Sequence, residues 1–330
     1  MSYRAVAFTA KEQVELVTVD GPEALGASQV AGRTLYTLVS PGTELAYGYH
    51  GVRYQGQASY PVYPGYAAVF QIEETGAEVE GFRPGDVAFC MGRHQSIQQM
   101  DARNVVPVPK GLAPEIAPLA RLMGVTMTTL MTTAARPGER VLITGAGPVG
   151  YLGAQVFKAA GYEVLVVEPD ERRQKNVVDR GISTVYPRVP VNDPEIADTI
   201  ALALDCSGHE QAVLDACRIV RKRGEVVLVG VPWRRQADLY AHDVLVEVFH
   251  RYVVLRSGWE WEIPHHAADF RPHSIYGDFR TALRWLSEGK IVVDGLVRLV
   301  SPADAPDVYR SLLHKTTPAL FSVLDWGLVD

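Results

Sequence analysis

The sequence predicts an α/β protein in which a β-rich body is joined to a doubly wound parallel sheet. Three observations predict it. The first third consists of short apolar runs punctuated by Gly and Pro, among them YRAVAFTA, GRTLYTLVS, AAVFQIEETG and GDVAFC. From Arg121 onward, apolar strand-sized runs alternate with helical stretches. Between one such strand and the next helix stands GAGPVG, residues 145–150.

Taken in order, the opening runs mix β-branched and aromatic residues, as strands do. Tyrosines gather there, at Tyr47, Tyr49, Tyr54, Tyr60, Tyr63 and Tyr66. LMGVTMTTLMTTAA is helical in composition and stops at Arg136-Pro137-Gly138. Strand RVLIT, the glycine turn, helix YLGAQVFKAAG, strand EVLVVE and helix ERRQKNVVDRG follow. These strands are apolar on both faces, which suits a parallel sheet covered on both sides. The alternation continues through strand IALALDCSG, helix EQAVLDACRIVRK and strands GEVVLVGVP and RYVVLRSG. The C-terminal part returns to mixed elements: helix DFRTALRWLSEGK, strand GLVRLV, helix ADAPDVYRSLLHK and strand ALFSVLDW.

Composition narrows the function. A chain of 330 residues makes about two domains. A formal net charge of -6 without a long Lys/Arg run argues against nucleic-acid partners. Apolar runs such as 226–232 are strand-sized, too short to span a bilayer. MSYRAVAFTAKEQ lacks an apolar signal core, so the expected location is cytoplasmic. Cys90, Cys206 and Cys217 stand singly, which fits small buried hydrophobes better than a disulfide framework.

The glycine motif has its context. Gly145 permits a tight turn, Gly147 lets a diphosphate approach the backbone, and Gly150 lets the helix pack closely on the strand. Ala146, Pro148 and Val149 complete a loop whose free N–H groups open a helix, a ready anion site. Glu168 ends the next strand, about 20 residues on, where a carboxylate accepts from the ribose hydroxyls of a dinucleotide. That carboxylate repels a 2′-phosphate, so NAD is the expected cofactor. Arg172 and Arg173 follow closely and leave NADP open.

At this point the chain resembles the medium-chain dehydrogenase/reductase superfamily, the alcohol and polyol dehydrogenases, over nearly its full length. The likeness is carried by Pro41-Gly42-Thr43-Glu44, Pro64-Gly65-Tyr66, Arg83-Pro84-Gly85-Asp86-Val87, GAGPVG, Asp205-Cys206-Ser207-Gly208 and VVLVGVP. It implies a GroES-like catalytic domain formed from residues 1–123 and 258–330 around a Rossmann domain at 124–257. It also implies that Cys206, Val229 and Ser257 border the bound dinucleotide. The strand RYVVLRSG is expected to be the last of the sheet and to pair with its two-fold mate, making a homodimer.

The resemblance also shows what is missing. The family's zinc-dependent members hold their catalytic metal at three places, which here fall at Pro41, Tyr66 and Arg121–Leu122. Pro and Leu carry no donor atom, and a neutral Tyr is a poor zinc ligand. The four closely spaced cysteines of a structural zinc lobe are absent after Cys90. A member without zinc is therefore expected.

Hydride transfer without a metal still needs a group to give or take the proton. By the resemblance, four residues face the substrate: Tyr66 and Thr43, expected to contact its oxygen, and Glu44 and His94, one of which is expected to handle the proton. Each has a plainer reading: packing for Tyr66, a turn hydroxyl for Thr43, a buried ion pair or loop hydrogen bond for Glu44, and a polar loop position for His94. In WEWEIPHHAADFRPH, residues 259–273, His265, His266, Asp269 and His273 match no closed zinc spacing, and Pro264 and Pro272 break any helix that would align them. Trp259 and Trp261, with Tyr47 and Tyr49, are expected to line an aromatic wall for the small-molecule substrate, against core packing as the plainer alternative. The expected activity is a metal-free NAD(P)-dependent conversion between a secondary alcohol and a ketone on a ring-bearing metabolite. Residues 40–44 look similar to those of zinc-lacking relatives in pigment and secondary metabolism. One alternative is a quinone or enoyl C=C reductase, disfavoured by GAGPVG, where that branch more often has an Ala-Gly-Gly turn. Another is a non-catalytic nucleotide-binding protein, which the glycine loop and Glu168 would serve equally well.

Overall fold

The computed structural model describes residues 2–21 and 24–329. The chain divides into two compact units, one of residues 1–121, 279–288 and 293–330, the other of residues 122–278 and 289–292.

In the first unit, β1 (Ser2–Ala10) and β2 (Gln13–Asp20) form an antiparallel ribbon. The strands β3 (Gln29–Leu38), β4 (Ala68–Thr75), β5 (Val87–Cys90), β6 (Ile97–Asp101) and β7 (Val105–Pro107) follow. The four runs expected as strands are β1, β3, β4 and β5. The sequence IQQMD of β6 is too polar to signal itself and gains its place by pairing with β3. Residues 41–49 make two consecutive helical turns after β3.

Helix α1 (Ala120–Thr132) leads into the second unit. There β8 (Arg140–Thr144), α2 (Pro148–Ala159), β9 (Glu163–Val167), α3 (Glu171–Val178), β10 (Val185–Tyr186), β11 (Ile200–Asp205), α4 (Glu210–Ile219) and β12 (Val220–Leu228) alternate as expected. Helix α5 (Ala241–Arg251) and strand β13 (Val254–Ser257) complete the sheet, whose order is β10-β9-β8-β11-β12-β13. Every pairing in it is parallel. β11 is buried along its whole length, as a strand covered on both faces must be. The chain runs outward from β8 to β10 and then crosses back to β11. The order therefore reverses between β8 and β11, whose ends Thr144 and Asp205 are in register.

Helix α6 (Ile275–Ser287), strand β14 (Val297–Val300), helix α7 (Ala305–Leu313) and strand β15 (Phe321–Asp325) close the chain. β15 pairs with β3, so the chain's last strand completes the sheet of the first unit, in the order β14-β15-β3-β4-β5-β7.

Three expectations need correction. Residues 220–222, expected in a helix, open β12, because the β-branched Val220 already pairs with Ile200. The return to the β-rich body, expected at 258, falls at Phe279; residues 258–278 belong with the parallel sheet. RYVVLRSG, expected to be apolar on both sides, is a short edge strand whose Arg256 pairs with Glu225 at 3.1 Å. Helix α5 was not anticipated. Among the described residues, no helix is long and apolar enough to cross a membrane.

Candidate functional site

Each unit carries one cluster of functional groups. In the second, the glycine loop leaves the end of β8. Gly145 adopts φ +86, open to glycine, and a Cβ on Gly150 would lie 1.8 Å from the Gly145 carbonyl oxygen and 3.1 Å from Cys206 Cβ. Only glycine lets α2 start this close to the strand. Gly147 caps α2 without a side-chain hydrogen bond, and Pro148 stands in the first turn. The helix N-terminus thus keeps N–H groups for an anion. At Gly147 itself, only the Arg173 guanidinium comes within 4 Å of where a Cβ would sit, at 3.9 Å. This is a cradle that fits a dinucleotide's diphosphate.

Glu168 is buried behind the loop. Its carboxylate accepts from the Ala146 N–H at 2.7 Å and the Asp170 N–H at 3.0 Å, and Arg173 lies 3.7 Å from it. The acid therefore braces the loop from which it was expected to reach a ribose. Asp205, named from the sequence only within a landmark of the resemblance, ties β8 to β11. It accepts from Thr144 Oγ1 at 2.7 Å, Ser207 Oγ at 2.6 Å and the Gly208 N–H at 3.0 Å. An acid ending the apolar run IALALD, just before a Ser-Gly turn, was the available signal. Burial and Asp205 hold the Cys206 thiol well above its ordinary value. The Val229 N–H donates to Asp205 O at 2.9 Å. Ser257 ends β13, where its hydroxyl accepts from the Trp259 N–H at 3.1 Å.

In the first unit, the helical turns at 41–49 bury Glu44. Its Oε1 accepts from the Ser40 N–H at 2.9 Å; its Oε2 accepts from the Tyr309 hydroxyl on α7 and lies 3.2 Å from His94 Nε2. His94 is fully buried, its backbone held between Pro64 O and the Val6 N–H. Gly65 adopts φ +97, and a Cβ there would lie 2.5 Å from His94 N, so the Pro64-Gly65-Tyr66 turn needs its glycine to reach His94. Tyr66 is partly exposed; its hydroxyl bonds Ser40 Oγ and also meets the Thr43 hydroxyl. Protein packed round that hydroxyl raises its pKa, Arg121 lowers it, and Glu44 raises it. Thr43, Glu44, Tyr66 and His94 thus stand in one cluster. Arg121, Ser40 and Tyr309 belong to it too, and no spacing in the sequence pointed to Ser40 or Tyr309.

The residues expected in the aromatic wall fall in both units. Tyr49 packs edge-on against Phe8 at 6.2 Å, as part of the core around Phe8 and Tyr309. Tyr47 is at the surface with the Arg53 guanidinium 3.5 Å over its ring. Trp259 and Trp261 are exposed residues of the second unit, and Trp261 lies 5.2 Å from the His265 ring.

At the places where the resemblance puts zinc ligands, the donor chemistry does not fit a zinc ion. Pro41 and Leu122 offer no donor, Tyr66 is committed to hydroxyl partners, and Arg121 brings a positive charge of its own. Among the described residues, no group of three or more His, Cys, Asp or Glu is arranged to hold a metal.

Residues 148–260 match the family described as zinc-binding dehydrogenase. The L-galactonate-5-dehydrogenase of Escherichia coli (strain K12) is 27% identical over 203 residues, 58% of this chain and 52% of that protein, so the likeness spans about half of that relative. The L-threonine 3-dehydrogenase of Pyrococcus furiosus is 28% identical over 322 residues, covering 86% of both chains. The chain is thus similar to the alcohol and polyol dehydrogenases of the medium-chain dehydrogenase/reductase superfamily. Its fold agrees: the crystal structure of galactitol-1-phosphate dehydrogenase from Escherichia coli superposes with a TM-score of 0.81 at 17% identity, covering 98% of this chain and 99% of that one. Within this superfamily the β-rich unit is the GroES-like domain and the parallel sheet is the Rossmann domain.

Proposed function

We propose that this medium-chain dehydrogenase is a zinc-independent, NAD-preferring oxidoreductase that interconverts a secondary alcohol and a ketone on a ring-bearing small molecule. The observation that carries this reading is the Tyr66 phenol, bonded to Ser40 and facing Thr43, at a place where zinc-dependent relatives bind metal. The named relatives, dehydrogenases of L-galactonate and L-threonine, support the alcohol chemistry. A bound nicotinamide supplies or accepts the hydride; Gly145 to Gly150, Glu168, Cys206, Val229 and Ser257 are the residues proposed to hold the cofactor. Burial keeps Tyr66 a neutral phenol at neutral pH, the form that donates a hydrogen bond and then a proton to a carbonyl oxygen. Thr43 and Ser40 carry the proton onward, and Glu44 with His94 orients the turn. Trp259 and Trp261, both exposed, are proposed to stack on the substrate's ring, whether sugar, cyclitol or a larger planar system.

The test is a panel of polyols, cyclitols and polycyclic alcohols with NAD and NADP, assayed after dialysis against a chelator. Tyr66→Phe should lower turnover by about 10²–10³, as for other lost oxyanion donors, with NAD affinity unchanged. Full turnover in that variant overturns the assignment. Reduction of an enone in place of alcohol oxidation favours the C=C reductase. Tighter binding of NADP means that Arg173, not Glu168, sets the preference. About one zinc per chain surviving dialysis would refute zinc independence.

We also propose a homodimer. Leu245, Phe249 and Tyr252 on and after α5, and Val254 on the edge strand β13, are exposed at 62%, 77%, 68% and 46%. A second copy covers such a surface in the manner expected of an unpaired edge. Light scattering that reports the monomer mass of 36.2 kDa at micromolar concentration would count against it.

A further inference from the structure

Arg121 is 4% exposed, an unusual place for a guanidinium. It lies at the start of α1, and its Cζ is 4.8 Å from the centre of the Tyr66 ring and 5.8 Å from that of Phe279. Phe279 in turn meets Phe89 edge-on at 5.1 Å. The cation is therefore held by ring faces. The groups facing Tyr66 are the Arg121 cation, the Glu44 carboxylate and the hydroxyls of Ser40 and Thr43. Beyond Glu44 stand the Tyr309 phenol and His94, both bonded to that carboxylate.

We propose that Arg121 is a positioning residue acting through Tyr66: across the Tyr66 ring it supplies a fixed positive charge where zinc-dependent relatives have a metal, and it stabilises the phenolate left when Tyr66 gives up its proton. The inference rests on Tyr66 being the proton-transfer group of the proposed reaction. In ketone reduction, the Tyr66 O–H bond breaks and a new O–H bond forms on the substrate oxygen, while hydride from a reduced nicotinamide adds to the carbonyl carbon. The phenolate then regains a proton from solvent through Ser40 or Thr43. Alcohol oxidation runs the same steps backwards. A buried charge already in place needs no reorganisation when the phenolate forms. Guanidinium suits the place because it stays charged when buried, is weakly hydrated and stacks on aromatic faces. Burial opposes ionisation of the phenol, Arg121 favours it, and Glu44 opposes it.

The experiment is an NMR titration of the protein labelled with ¹³C at the tyrosine ζ carbon, with the Tyr66 signal assigned by its loss in Tyr66→Phe. Arg121→Gln and Arg121→Met remove the charge and keep much of the stem. In whichever of them shows a native circular dichroism spectrum, the Tyr66 step should move to higher pH. The rise of alcohol oxidation with pH should move with it, and turnover at neutral pH should fall about tenfold, the equivalent of one pKa unit. Arg121→Lys keeps the charge and should hold both steps near those of the unmodified chain. A folded neutral variant with an unmoved Tyr66 step overturns the proposal. If neither neutral variant folds, Arg121→Lys decides: an unmoved Tyr66 step with turnover kept supports it, and an unmoved step with turnover lost at every pH overturns it. If the unmodified protein oxidises no alcohol in the panel, the oxidoreductase reading fails separately, and the titration still decides whether Arg121 governs Tyr66.

Discussion

The loop at 145–150 is made of backbone from one short segment, whereas the cluster around Tyr66 is made of side chains drawn from across the chain. In the loop, Gly145 and Gly150 answer local constraints: a positive φ at Gly145, a carbonyl oxygen in the way at Gly150. In the cluster, Glu44 reaches Tyr309 across 265 residues and His94 across 50. A site of the first kind resists substitution at the glycines that carry such constraints but leaves its neighbours free. A site of the second kind keeps its geometry only while every partner is present, because each buried polar group it loses strands another.

The largest expected effect breaks the backbone site. Gly150→Val places a Cβ at 1.8 Å from Gly145 O, a clash that neither backbone segment can relieve without moving α2 off the sheet. The variant should lose about 4 kcal/mol or fail to fold, read as soluble yield and thermal midpoint. A normal midpoint would mean that the loop has slack the structure does not show.

The next breaks the side-chain site. Glu44→Ala removes the acceptor shared by the Ser40 N–H, the Tyr309 hydroxyl and His94. Leaving these buried groups without a partner should cost about 3 kcal/mol in denaturant unfolding. Tyr309→Phe, which removes only one donor, should cost about 1 kcal/mol. Equal losses in the two variants would show that the network is not shared through Glu44.

This contrast explains what was legible. The parallel sheet and its glycine loop were readable, because local pattern and spacing carry them; the places compared with zinc ligands came through the resemblance. The membership of Thr43, Glu44, Tyr66 and His94 in one cluster came only through the resemblance. Tyr309 left no trace, and Ser40 appeared only within the resemblance of residues 40–44: a serine before a turn and a tyrosine on an amphipathic helix look like any others until the fold brings them together. Tyr49, expected on an aromatic wall, packs on the core around Phe8 and Tyr309, a place that its composition does not announce. Helix α5 was not anticipated, and the end of the sheet unit was set at 257 rather than 278 because that boundary falls inside helix α6, where no change of local pattern marks it.

Asp278 sharpens the comparison by burying a carboxyl without Glu44's partners. It is 6% exposed, its Oδ2 has no hydrogen-bond partner among the described residues, and burial pushes its pKa from 3.8 up to about 7. The folded state therefore holds the proton more tightly than the unfolded one. The stability from this group is fully present below pH 3.8 and is lost as pH rises through about 7. The loss should be on the order of 2 kcal/mol, and Asp278→Asn should flatten that part of the stability–pH curve. A variant whose curve has the unmodified slope between those limits would place the proton elsewhere.

The smallest expected change in stability comes from Gly147→Ala, and it separates folding from binding within the loop. Gly147 has φ -67 and ψ -177, a conformation alanine adopts without strain. A Cβ there meets only the tip of Arg173 at 3.9 Å. Alanine is a poorer cap than glycine by a few tenths of a kcal/mol, and it loses less chain entropy on folding by a similar amount. The two offset, so the thermal midpoint should stay where it is. The same methyl would stand on the face of the loop that a diphosphate must approach closely. NAD affinity, read by fluorescence titration or calorimetry, should therefore weaken about tenfold, about 1.4 kcal/mol. Together the two results would show that Gly150 is kept for the fold and Gly147 for the cofactor. An unchanged affinity would instead mean that the diphosphate does not lie over Gly147, and the proposed cofactor site would have to be redrawn.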